Sequence, residues 1–187
     1  LRLLLPILLL LAAAVRPVPA QEESLKPGIN NAYQSRDIEA TIKVFEGEKR
    51  DVAKARAEIL AACEVKPGMI VADVGAGTGL FTLPLAAAVA PGGKVFAVDI
   101  TEKFVEHVKK KCREKKLDNV ETILSTPTSA KLAPASTDLV FTCDTYHHFE
   151  FPFKMLASIR QALRPGGRLI VIDRKEASDH ARAGQAT

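Results

Sequence analysis

Apolar positions follow three rhythms along the chain, and each predicts a different kind of segment. Within residues 1–20 (LRLLLPILLLLAAAVRPVPA), Leu3 to Val15 form one apolar run behind Arg2, interrupted only by Pro6. The run is shorter than the roughly 20 residues a membrane span needs. Val18-Pro19-Ala20 precedes Gln21 in the manner of a signal-peptidase site. This segment reads as a cleavable secretory signal, which predicts an exported or periplasmic protein, or a membrane-anchored one if the leader stays on. With the leader removed, no stable membrane span is expected. Residues 21–31 (QEESLKPGINN) are polar, with Pro and Gly, and read as a linker. Two helices follow over 37–45 and 49–63, separated at Gly47; Val52, Ala55, Ile59 and Ala62 recur at helical spacing in the second.

After Lys66-Pro67-Gly68 the rhythm changes to short apolar runs bounded by turns. Strands are predicted over 69–74, 94–99, 120–124, 138–143 and 168–173. Helices are predicted over 81–90, 101–116 and 152–163. In the middle one Thr101 is the N-cap, and Phe104, Val105, Val108 and Cys112 share a face. Buried strands alternating with helices mean βαβ units and a mainly parallel sheet of about five strands, covered on both faces. The chain divides into the leader at 1–20, a linker and helical extension at 21–65, and an α/β domain at 66–187.

Composition narrows the picture without redirecting it. A chain of 187 residues with 47% hydrophobic and 26% charged residues can bury a full core, which excludes a disordered tail, a collagen-like repeat and a disulfide scaffold. The formal charge is +4, and Arg2 and Arg16 lie in the leader. So weak a balance argues against a nucleic-acid partner. The basic run at 109–116 reads as the solvated face and C-terminal end of a helix. Cys63, Cys112 and Cys143 show no metal-ligand spacing and read as small buried hydrophobes.

The chemistry-bearing segment is Asp73-Val74-Gly75-Ala76-Gly77-Thr78-Gly79-Leu80, between the first strand and its helix. Glycines there permit a tight turn and close backbone approach to a ligand at a helix N-terminus. Leu80 stands where the dinucleotide fingerprint needs Gly or Ala, which disfavours a nicotinamide dehydrogenase, and no Gly-Lys-Ser/Thr follows for a phosphate loop. Asp99 closes the second strand, where a carboxylate can accept hydrogen bonds from two ribose hydroxyls.

The stretches VADVGAGTGLFT, VFAVDI, DLVFTCDTYHHF and LRPGGRLIVID, in this order over residues 66–173, resemble the class I S-adenosylmethionine-dependent methyltransferases, in particular the ubiquinone/menaquinone-biosynthesis-like group. The resemblance implies a Rossmann-like doubly wound sheet of order 3-2-1-4-5, S-adenosyl-L-methionine as cofactor and a small-molecule methyl acceptor. It implies that Gly75, Ala76 and Gly77, with Gly79 in the same loop, cradle the methionine part, that Asp73 orients the cofactor's amino group, that Asp99 grips the ribose and that Ile100 packs on the adenine. Where the family often carries an acidic residue for the adenine amino group, this chain has Thr126.

Asp144, Tyr146, His147 and His148 leave the fourth strand where methyl group and acceptor should meet. Asp144 is expected beside the cofactor, and Tyr146 to shape the substrate site. His147 or His148 is the candidate base, needed only if the nucleophile must lose a proton. The adjacent histidines make a poor metal site, so no metal is expected. Tyr33, Phe45 and Arg56 are candidates for a lid, with Tyr33 also shaping the substrate site. The family sheet ends in a C-terminal hairpin, and the 14 residues after Asp173 are too few to build it. That leaves an open edge beside the fifth strand for pairing with another chain, and a non-catalytic cofactor-binding domain as the alternative to an active enzyme.

Overall fold

The computed structural model describes residues 21–174. The leader and residues 175–187, on which the expected lack of a C-terminal hairpin rests, lie outside the described residues. Five strands, β1 (Ile70–Val74), β2 (Lys94–Asp99), β3 (Val120–Leu124), β4 (Thr137–Cys143) and β5 (Leu163–Ile172), form one sheet of order β3-β2-β1-β4-β5. Every neighbouring pair is parallel. The central strands are buried on both sides, with Val71, Ala72, Leu139, Val140 and Phe141 fully enclosed. This is why they read as continuous apolar runs and not as alternating ones.

Side-chain alternation along β1 divides the core. Val71 faces one cluster with Val95, Leu139 and Phe141, covered by Leu85, Ala86 and Val89 of α5 (Thr82–Val89). Ala72 and Val74 face the other with Val98 and Val140, covered by Met155 and Ile159 of α7 (Pro152–Ala162). Helix α6 (Glu102–Glu114) sets Val108 and Cys112 on Ala97, and Leu117 and Val120 join it to the α5 cluster. Each fully buried Leu, Val or Phe contributes on the order of 1.5–3 kcal/mol. Ahead of the sheet come α1 (Asn31–Ser35), α2 (Ile38–Phe45), α3 (Asp51–Lys54) and α4 (Arg56–Ala62). Among the described residues no helix is long and apolar enough to cross a membrane.

Three predicted elements differ in detail. The helix expected over 49–63 is kinked at Ala55, which ends α3 while its carbonyl accepts from Ile59 within α4. β5 begins at Leu163, because Arg164–Gly167 bulge out of the ladder between the pairs Thr137–Leu163 and Leu139–Arg168. The polar segment 21–30 is anchored along the end of β4. The Leu25 N–H donates to the Glu150 carbonyl at 2.8 Å, Lys26 Nζ to the His147 carbonyl at 3.0 Å and Asn30 Nδ2 to the His148 carbonyl at 3.1 Å.

Candidate active site

Between β1 and β4 the strand order reverses, and connections leave the carboxyl ends of these strands in opposite directions, which opens a crevice. A cavity of about 430 Å³ lies there. The glycine loop forms its floor. The Gly75 and Ala76 N–H groups both donate to the Val98 carbonyl, at 2.8 and 3.0 Å, folding the loop back onto β2. Gly75 has φ +84°, and a Cβ there would collide with the Thr145 side chain. Only glycine serves where the β1 loop passes under the β4 loop.

Asp99 organises one side of the crevice. Its carboxylate accepts from the Gly77 N–H (Oδ2, 2.8 Å) and from the Thr101 N–H (Oδ1, 2.8 Å). Thr101 occupies the N-cap as expected, but its side chain makes no capping bond. Burial raises the Asp99 pKa, opposed by hydrogen bonds from the Thr101, Gly77 and Ile100 backbone. Each carboxylate oxygen keeps a lone pair toward the cavity for a further donor.

Two aspartates frame the opposite end. Asp144, at φ +52°, lies 2.6 Å from Arg50 Nη2. The Arg50 guanidinium stacks 4.8 Å from the Phe45 ring centroid. The extension thus clamps itself over the glycine loop. Asp173 follows β5 and accepts from His147 twice, at Nδ1 (2.7 Å) and at the backbone N–H (3.1 Å). Burial acts to raise the Asp173 pKa, but the bonds from the Arg174 N–H and from His147 outweigh it and hold the carboxyl below its usual range. Tyr33 hydroxyl meets His148 Nε2 at 3.3 Å, and its ring packs near Phe45 and Phe104. His148 titrates lower than usual, through burial and then its neighbour His147.

The cavity wall brings together Tyr33, Gly75, Ala76, Gly77, Asp99, Ile100, Thr126, Asp144, His147 and His148, as well as Phe45. Four other residues singled out in the sequence stand elsewhere. Asp73 is buried behind the loop and accepts from Thr82 Oγ1 at 2.6 Å; burial pushes its pKa up to about 7, Thr82 lowers it and Asp99 raises it. Gly79 is a packing glycine: a Cβ there would sit 2.9 Å from Leu83 and 3.3 Å from Val108. Tyr146 lines a second, smaller cavity, and Arg56 is exposed. Arg50, Thr78, Phe104 and Asp173 belong to the site although the sequence reading assigned them no role in it. Asp173 carried a signal, since it ends a predicted strand as Asp99 does; Arg50 carried none.

One oxygen or nitrogen atom from each of Asp144, His147 and Asp173 lies within 4.8 Å of the others, a spacing that a cation site would also need. Arg50 already neutralises Asp144, and the His147 Nδ1 is engaged by Asp173, so the cluster is internally paired. Cys143 borders the cavity as a thiol, its pKa pushed up to about 12 by burial and then by Asp73.

A doubly wound parallel sheet with a glycine loop and a strand-end aspartate at its switch point defines the Rossmann-like class of fold. The chain belongs to the methyltransferase domain family, which matches residues 72–171. It is similar to a demethylmenaquinone methyltransferase of Lactococcus lactis (29% identity over 106 residues, 57% of this chain and 42% of the relative). It is also similar to a ubiquinone/menaquinone biosynthesis C-methyltransferase of Burkholderia vietnamiensis (30% over 121 residues, 63% and 48%). The chain thus spans less than half the length of these curated relatives. Among solved structures, a SAM-dependent methyltransferase from Aquifex aeolicus superimposes with a TM-score of 0.66 at 27% identity, covering 76% of this chain and 77% of that one.

Proposed function

We propose that this chain binds S-adenosylmethionine in the crevice and transfers its methyl group to a small molecule. The observation that carries the reading is Asp99, braced at both oxygens by backbone N–H groups on the cavity wall facing the Gly75–Gly77 floor. The residues present fit this cofactor. The floor has no side chain that would exclude a ligand, and the buried Thr78 hydroxyl and His148 Nδ1, both on wall residues, have no partner among the described residues. Ile100 and Phe104 offer an apolar slot for an aromatic base, with Thr126 at its rim.

When bound, the cofactor supplies an electrophilic methyl carbon on a sulfonium. The protein's task is to align a nucleophile with that carbon and keep water out. Asp99 holds the ribose. Asp144 and Arg50 form a net-neutral pair near the β1–β4 junction, which holds both side chains in place at that end of the crevice. Phe45 and Arg50 close the crevice from above. Calorimetric titration of the full chain with S-adenosylmethionine and S-adenosylhomocysteine tests this reading. Binding of both is expected, and no heat at millimolar ligand would overturn it.

A further inference from the structure

A second cavity, of about 330 Å³, lies on the other side of the turn 146–148. Its walls are Leu25, Tyr146, Phe149 and Pro152, with Lys26 and Arg174 at its margin. His147, Phe149 and Arg174 line both cavities, which therefore adjoin along these residues. Tyr146 and Phe149 meet edge to face at 5.6 Å, and Tyr146 stays 40% exposed, leaving aromatic surface for a further ring to pack on. Among the described residues the one carboxylate on the wall, Asp173, is occupied by His147 and the Arg174 N–H. The charge left for a ligand is therefore positive.

His147 stands at this junction in a fixed pose. Asp173 grips its ring and its backbone together, and the side chains are only 12% and 15% exposed. With Nδ1 engaged by the carboxylate, the imidazole carries its proton on Nδ1 and presents Nε2 as an acceptor. That is the arrangement of an oriented general base.

We propose that the second cavity is the methyl-acceptor site and that it selects hydroxylated aromatic carboxylates, whose hydroxyl His147 deprotonates. This rests on the methyl-transfer reading above. Lys26 and Arg174 pair with the acceptor's carboxylate while its ring packs on Tyr146 and Phe149. The hydroxyl proton passes to His147 Nε2 as the oxygen attacks the sulfonium methyl carbon. A C–O bond forms, the C–S bond breaks and its electron pair returns to sulfur. The products are an aryl methyl ether and S-adenosylhomocysteine, and the imidazolium, stabilised by Asp173, releases its proton to water. Asp173 is a positioning residue.

The test uses the full chain, S-adenosylmethionine and three phenols: 4-hydroxybenzoate, neutral phenol and cationic tyramine, with S-adenosylhomocysteine formation as the readout. 4-Hydroxybenzoate should lead in kcat/KM by about tenfold or more, and the double substitution Lys26→Glu, Arg174→Glu should erase that lead through KM. His147→Gln should slow 4-hydroxybenzoate about a hundredfold or more, in the range of a lost general base. It should slow 4-hydroxy-3-nitrobenzoate, already ionised at neutral pH, less than tenfold. Asp173→Asn should show the same contrast more weakly, and serves if His147→Gln fails to fold. Equal slowing of both acceptors, preference for tyramine, or no methylation by a chain that binds the cofactor would overturn the proposal alone. Failure to bind the cofactor would overturn the methyl-transfer reading with it.

Discussion

Asp99→Asn separates the cofactor role of this residue from its structural one. The carboxylate accepts two buried backbone N–H bonds at 2.8 Å, from Gly77 and Thr101. An amide keeps one acceptor and turns an NH2 group against the other donor, which costs about 1–3 kcal/mol. Burial already disfavours the ionised carboxylate, as its raised pKa shows, and removing that charge offsets part of the loss. The apo protein should therefore lose less than about 2 kcal/mol. Cofactor affinity has no such compensation. A lost hydrogen bond to a charged group is worth about 1.5–3 kcal/mol, or roughly ten- to 150-fold in Kd. Thermal unfolding reads both effects. At S-adenosylmethionine equal to about 100 times the wild-type Kd, the wild type gains about 2.7 kcal/mol. A variant weakened thirtyfold gains about 0.9 kcal/mol at the same concentration. Equal ligand-induced stabilisation of the two proteins would refute the ribose assignment.

Three further substitutions probe the rest of the site. Asp73→Asn should alter pH dependence. A carboxyl raised from 3.8 to about 7 contributes stability that is present below about pH 4 and is lost as pH rises through 7, about 4 kcal/mol in all. Urea unfolding should show the variant gaining on wild type from pH 4.5 to pH 8; parallel profiles would contradict the burial argument. Arg50→Met removes the clamp on Asp144, and the pair is about three-quarters buried. Stability should fall by about 1 kcal/mol and amide exchange over 38–54 should quicken, whereas unchanged exchange would place the closure elsewhere. Gly75→Ala forces a side chain into Thr145 at a left-handed backbone angle. Strain of about 1–3 kcal/mol is expected, with loss of cofactor binding by calorimetry; Gly75→Ala with Thr145→Gly should recover space but not the backbone strain.

The short apolar runs at 69–74, 94–99 and 138–143 specified a parallel sheet because they alternate with helices, and strands covered on both faces by such helices are mainly apolar. The glycine loop and Asp99 were legible for a related reason: a tight strand-to-helix turn and a strand-terminal carboxylate impose residue types at set spacings. Function was less legible wherever it depends on residues far apart in the chain. Arg50 lies 94 positions from Asp144, and His147 lies 26 from Asp173. No local pattern marks either pair, since a surface arginine and a strand-end aspartate are ordinary until folding sets them 2.6 and 2.7 Å from their partners. Tertiary structure also sorted residues that looked alike in sequence. Gly75 forms the cavity floor and Gly79 packs two helices, although both have φ +84°. Asp99 faces the ligand space while Asp73 turns to Thr82. The sequence by itself determined the sheet and the location of the cofactor crevice, because these follow from local burial and turn chemistry. Only the assembled fold decided which charges meet, which histidine is oriented and where a second cavity opens, because those depend on the ends of β4 and β5 and the N-terminal segment converging in space.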